Sequence, residues 1–337
     1  MSAPAQTITS FNDPNAGKAS GQGTVAVTIN TAGTITGGFV DKDNIGHAFV
    51  RTPTAKYTSF NAPGNGVKLT AGTGINTGGV ITGFDIDSAS VLHGFVRTTA
   101  GAITTFDAPG AGKNPGQGTE PYSINTAGSI AGFYTDSVGA HHGFVRSTTG
   151  TITSFEAPGA GNGNHQGTSA TVINTTGAIT GSYYDAHSHY HGFVRAANGR
   201  ITDFNYPQAV GTAATAIDAT GTITGFYKDT NKLTHGFVRT PQGAFTSFDG
   251  PNNPRQTAGW AINTAGVITG LYQDAGGGNH GFVRASDGTI TTFDAPGAGR
   301  LGVVVPGGFE MGINTAGDVA GYYLDASSVF HGYLYVP

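Results

Sequence analysis

The sequence predicts an all-β fold, a seven-bladed β-propeller with four antiparallel strands per blade, closed three-plus-one by its N-terminal strand. Three observations predict it. The motif His-Gly-Phe-Val-Arg, or a close variant, returns at His47, His93, His142, His191, His235, His280 and His331, at intervals of 44 to 51 residues. That period belongs to one supersecondary unit copied in tandem. Glycine makes up 56 of 337 residues and Thr, Asn, Ile, Val and Phe are abundant, which suits many short strands joined by turns. The copies are also out of phase with the chain ends, since residues 8–11 form an orphan fourth strand while the last copy stops after its third.

Each unit reads as four strands, a to d, laid out in the third copy as residues 119–125, 129–136, 142–146 and 151–155. Strand a ends at an Asn-Thr-Ala-Gly turn, with Asn opening a type I turn and Gly where the backbone goes left-handed. The turn recurs at residues 30–33, 174–177, 263–266 and 314–317, with 218–221 as a variant, and reads as hairpin punctuation. Strands c and d are joined by tight turns at residues 99–101 and 198–199. The d-to-a connection is the longest, as expected of a link stepping from the outer edge of one sheet to the inner edge of the next.

Counting strand c or strand d gives seven of each. In a ring, residues 7–12 complete the C-terminal blade and hide two unpaired edges, so residues 1–337 form a single domain. An open β-solenoid is the alternative and has no use for the displaced strand.

The His-Gly-Phe pattern, with His47-Ala48-Phe49 in the first copy, resembles the bacterial extracellular HAF repeats over essentially the whole chain. The resemblance implies an exported propeller and brings no activity to any residue.

With 16 basic and 20 acidic residues and no Lys or Arg run, nucleic acid is not an expected partner. No apolar run approaches the roughly 18 residues of a membrane helix, and residues 1–6 lack a secretory pattern. A soluble, secreted or extracellular monomer is expected. The absence of cysteine suits the cytosol equally.

In such a blade the d–a and b–c connections share one face, where binding residues are to be sought. The b–c hairpin carries an Asp six residues before each motif histidine: Asp41, Asp87, Asp136, Asp185, Asp229, Asp274 and Asp325. Either the Asp orients a catalytic or metal-binding His, or it closes strand b on turn N–H groups while His bonds to it at the start of strand c. Seven equal dyads favour the structural role. Arg51, Arg97, Arg146, Arg195, Arg239 and Arg284 end six c strands, with Tyr335 in the seventh, and are expected to lie along apolar blade flanks. The Phe-acid-x-Pro steps, such as Phe106-Asp107, read as loop initiation, with a hard-cation site as the alternative.

Departures from the repeat are the better guide to function. His141, His165, His187 and His189 lie outside the series. The ring brings their loops together, and the spacing of His187 and His189 points both to one side of an extended strand about 7 Å apart. They are the candidate metal ligands, and the bland reading is exposed loop residues. Glu120, Tyr122, Trp260, Phe309 and Glu310 stand out among small inner-strand residues, as wall of a ligand-binding channel or as filling between blades. No catalytic residue is identified. No cofactor is assured by any motif, and a divalent metal ion is the one candidate.

Two functions follow. One is a non-catalytic binding or surface-interaction module that holds a glycan, peptide or protein on its loop-rich face. The other is a metal-assisted lyase or hydrolase centred on the extra histidines, since motifs for nucleophilic catalysis are missing.

Overall fold

Twenty-eight strands, β1–β28 in chain order, make up the regular structure of the computed structural model, which describes residues 6–64, 66–299 and 311–337. The described residues contain no helix, and none long and apolar enough to cross a membrane. The first complete copy is β2 (Gly23–Ile29), β3 (Ile35–Val40), β4 (Gly46–Arg51) and β5 (Tyr57–Phe60), paired antiparallel in that order. Asn30 accepts the Gly33 N–H at 2.9 Å, and Gly33 has φ of 80°, so the first hairpin turns where the sequence places it.

Within a copy, side-chain size alternates to suit one ring. The motif phenylalanines Phe49, Phe95, Phe144, Phe193, Phe237 and Phe282 are fully buried. Each lies opposite a strand-b glycine, as in the pair Gly132↔Phe144. The motif glycine makes room for the strand-d phenylalanine: a Cβ on Gly143 would lie 2.7 Å from the Phe155 ring. Buried threonines beside these rings are satisfied, since Thr36 Oγ1 donates to the Phe49 carbonyl at 2.7 Å and Thr180 Oγ1 to that of Phe193 at 2.7 Å.

The core is divided. Seven clusters of buried residues lie between successive copies, each joining strands of one copy to those of its neighbour. Each strand-c arginine covers the strand-d phenylalanine of the preceding copy, Arg97 over Phe60 at 4.7 Å and Arg239 over Phe204 at 4.6 Å. Their Nε atoms are buried without hydrogen-bond partners, consistent with a ring face as their neighbour. Tyr335 does the same by stacking on Phe293 at 4.7 Å. This is the flank position expected from the sequence, with the added feature that it joins two copies.

The two chain ends meet. β1 (Thr7–Phe11) pairs antiparallel with β28 (Phe330–Val336), in register from Thr7↔Val336 to Phe11↔Gly332. Phe11 then lies beneath Arg51 at 4.6 Å, and Ala320 of the last copy shares a buried cluster with Ile35 and Phe49 of the first. Among the described residues the backbone pairing is divided into a 20-stranded and an 8-stranded sheet.

The a–b turn does more than turn the chain. Asn30 Nδ2 donates to the Asn76 carbonyl, Asn76 to Asn125, Asn125 to Asn174, Asn174 to Asp218, and Asn263 to Asn314, at 2.8 to 3.3 Å. The Ile-Asn-Thr segments of six copies and Ile217-Asp218-Ala219 together line one cavity of about 210 Å³.

Candidate functional site

The b–c hairpin and the start of the d–a loop meet at each motif histidine. Asp41 Oδ1 accepts the N–H groups of Asp43 and Ile45, at 2.8 and 2.9 Å, which closes the turn. Its other oxygen lies 3.1 Å from His47 Nε2, and His47 Nδ1 lies 2.8 Å from Asn61 Oδ1. The same three residues meet in every copy, with Asp107, Glu156, Asn205, Asp249, Asp294 and Asn12 in the place of Asn61, although the Asp–His distance widens to 3.6 Å at Asp87/His93 and Asp229/His235. In six copies the imidazole also stacks on a strand-b aromatic ring, as His142 does on Tyr134 at 4.8 Å. Turn N–H groups hold Asp41, Asp87, Asp274 and Asp325 below the usual carboxylate range. Burial disfavours the charged forms of His93, His142 and His280, but the flanking acids outweigh it and raise them.

Each Asp thus lies on its turn and beside the histidine six residues on, while the third member of the unit is not marked by that spacing. Its signal is a fixed offset of 14 residues from each histidine to the residue after the strand-d phenylalanine, which the last copy takes from the other end of the chain.

Clefts open beside these units. One of about 640 Å³ is bounded by Asp87, His93, Asp107, Pro109 and Lys113. Another of about 470 Å³ has Asp325, His331, Asn12, Pro14 and Lys18 in matching places. Each offers a carboxylate, an imidazole, an ammonium and an Ala/Pro wall, a surface suited to a polar ligand rich in hydroxyl groups.

Copy two departs from the pattern. Asp85 stands where the others carry Phe39 or a tyrosine, is only 3% exposed, and leaves Oδ1 without a hydrogen bond. Burial pushes its carboxyl up to about 6, against the pull of His93.

The extra histidines fall into two pairs: His165 lies near His141, and the His187 and His189 rings stack 6.2 Å apart. His141 is stacked on Phe133 at 4.6 Å, its Nδ1 lies 3.0 Å from Ser169 Oγ, and burial followed by the nearby His165 lowers it to about 4. His187 and His189 do not lie on an extended strand as their spacing suggested. They belong to the turn after Tyr184, where Asp185 Oδ1 accepts both their N–H groups at 2.8 and 2.9 Å and Ser188 has φ of 63°. Asp185 bends the backbone that alternate spacing would have kept straight. Their side chains are 81% and 63% exposed. Among the described residues no three His, Asp or Glu side chains are arranged to hold a metal ion.

Tyr122 and Trp260 line a second inner cavity of about 140 Å³, together with Met311. Glu120 is not in its wall. It pairs with Phe133, and burial pushes its carboxyl up to about 7. Phe309 and Glu310 lie outside the described residues, as does the 303–306 insertion.

No family model matches the chain, and no curated protein matches it. Among solved structures it is similar to a streptogramin B lyase, at 15% identity over 98% of this chain and 97% of that one, with a TM-score of 0.58. A catalytically inactive histidine-to-alanine variant of virginiamycin B lyase from Staphylococcus aureus, with quinupristin, is similar at 16% identity over 99% and 100%, with a TM-score of 0.56. The β-propeller domain of the Trilobed protease from Pyrococcus furiosus, described as having an open velcro topology, is similar at 9% identity over 93% and 96%, with a TM-score of 0.57. At these identities the likeness is one of fold and carries no activity with it. The chain has an all-β propeller fold.

Proposed function

We propose that the chain is a non-catalytic binding propeller, an exported monomer of the HAF-repeat type, whose seven blades close into a ring with residues 7–12 completing the last. It holds a glycan on its loop-rich face, in clefts between the b–c hairpins and the d–a loops. The observation that carries this reading is the Asp–His–Asx/Glu unit, built alike in all seven copies and completed in the last by Asn12. A reaction centre needs one set of groups unlike the rest. Seven matched units, two of them beside the similar clefts at His93 and His331, suit repeated weak contacts to a repeating polar ligand, which multivalency turns into useful avidity. Ring closure is supported by the β1–β28 pairing and by the stack of Arg51 on Phe11.

Glycan-array binding followed by calorimetry tests the reading. The expected result is more than one glycan per chain, with Lys113→Ala removing one site and sparing the others. One tight small-molecule site per chain, or binding to peptides and no glycan, overturns it.

A further inference from the structure

The first copy lacks two side chains that its siblings use to fill the space between blades. Gly38 of β3 stands where the other b strands carry Phe84, Phe133, Ser182, Phe226, Leu271 and Tyr322. Gly46, at the start of β4, stands where the other c strands carry Leu92, His141, Tyr190, Thr234, Asn279 and Phe330. In the third copy the two positions form the stacked pair Phe133/His141, with ring centroids 4.6 Å apart. In the seventh they form the edge-on pair Tyr322/Phe330 at 5.9 Å. Where strand b has Ser182, strand c supplies the ring of Tyr190. Neither ring exists in the first copy.

The space remains open. A cavity of about 160 Å³ lies against Gly38 and Gly46, walled by Val25, Val27, Val40, Leu69, Ala71 and Phe84. The two threonines beside it have their hydroxyls engaged elsewhere: Thr70 Oγ1 accepts the Ala62 N–H at 3.1 Å and Thr73 Oγ1 donates to the Pro121 carbonyl at 2.7 Å. The wall is almost wholly carbon. Backbone geometry does not force the omission at Gly38, where an added Cβ would come no nearer than 3.4 Å to any atom. At Gly37 next to it, an added Cβ would meet the Val25 carbonyl at 2.0 Å.

We propose that this cavity is a binding site for a small neutral aromatic ring, benzene or an alkylbenzene in size and chemistry. The other copies define the shape of the occupant, because Phe84, Phe133 and Phe226 put a phenyl group at the equivalent place. Enclosed apolar cavities of about 150 Å³ take up benzene; this one is apolar in the same way but open on one side, where Val25, Gly38, Leu69 and Ala71 are part-exposed. The ligand restores the dispersion contacts that the missing ring forfeits. A charged ring finds no partner on this wall and is excluded by the cost of desolvation.

The test is a toluene titration of the full chain, followed by the methyl NMR signals of Val25, Val27 and Leu69, with benzoate as the charged control. Saturable shifts confined to these methyls and a raised melting temperature are expected with toluene, and neither with benzoate. Gly38→Phe is expected to melt higher than wild type and to abolish the toluene shifts. Should that variant fail to fold, Gly38→Leu, which places here the residue found at 271, is expected to weaken toluene binding roughly tenfold or more. No saturable shift up to the solubility limit of toluene, or binding undiminished in a folded Gly38 variant, overturns the proposal.

Discussion

His331 Nδ1 lies 3.1 Å from Asn12 Oδ1, a contact between residues 319 positions apart that every other copy makes within 14. The last copy thus borrows from the opposite end of the chain both a strand and the partner of its histidine. Asn12→Ala removes only the acceptor, and a loss of about 0.5–1 kcal/mol is expected. Deleting residues 1–12 also removes the β1 pairing and the ring beneath Arg51, and is expected to cost about 3 kcal/mol or more. Urea unfolding of the two variants beside wild type checks the order. Equal midpoints for wild type and the deletion would remove any stabilising role for the strand.

The turn amides give a second prediction. Asp218 holds the place of an asparagine and has no Nδ2 to offer the Asn263 carbonyl, so the series of side-chain links is interrupted there and resumes with Asn263. Asp218→Asn is expected to add the missing link and about 0.5–1.5 kcal/mol of stability. Asn125→Ala, which removes a buried link and the acceptor for its own turn, is expected to lose about 1–3 kcal/mol. Denaturant midpoints that move in opposite directions would bear this out.

Tyr333 occupies the position of the six buried motif phenylalanines, and its hydroxyl is fully buried without a hydrogen bond. Burial holds that hydroxyl far above the usual phenol range. Tyr333→Phe removes an unsatisfied donor at nearly constant volume and is expected to stabilise by about 1 kcal/mol. Calorimetric melting at neutral pH measures it, and a lower melting temperature would reveal a partner for the hydroxyl.

Asp85 supplies a pH dependence. Its carboxyl titrates near 6 in the fold and near 3.8 when unfolded, so the folded chain binds that proton more tightly. Stability is therefore lost as pH rises from about 4 through 6 and stays low above. Asp85→Tyr restores the ring that stacks on the histidine in other copies and has no carboxyl to titrate. Its advantage over wild type is expected to grow across that interval, to about 2–3 kcal/mol at pH 8. Melting curves at pH 4, 6 and 8 follow it; a constant difference would place the titration elsewhere.

Much of this arrangement was legible along the chain. In the third copy the strands Gly118–Ile124, Ile130–Thr135, His141–Arg146 and Ile152–Phe155 fall within a residue or two of the ranges expected from alternation and turn chemistry. Asp–His pairing at an offset of six was legible because both residues border one hairpin. The Asn30–Asn76 link and the stack of Arg97 on Phe60 were not, since they join separate copies of the repeat. His187 and His189 lie side by side, with ring centroids 6.2 Å apart, but on a turn made by Asp185 and not on the extended strand that alternation suggested.

The sequence by itself determined the repeated unit, because strand alternation and turn conformation depend on neighbours within a few residues. It also determined that the two ends carry complementary pieces of one unit. Only the tertiary structure decided what meets between units: which ring each arginine covers, which carbonyl each turn amide reaches, and that the space beside Gly38 stays open while Leu69 packs against Gly46. Those contacts depend on the twist and relative rotation of adjacent sheets, which are fixed when side chains pack together and not by any spacing along the chain.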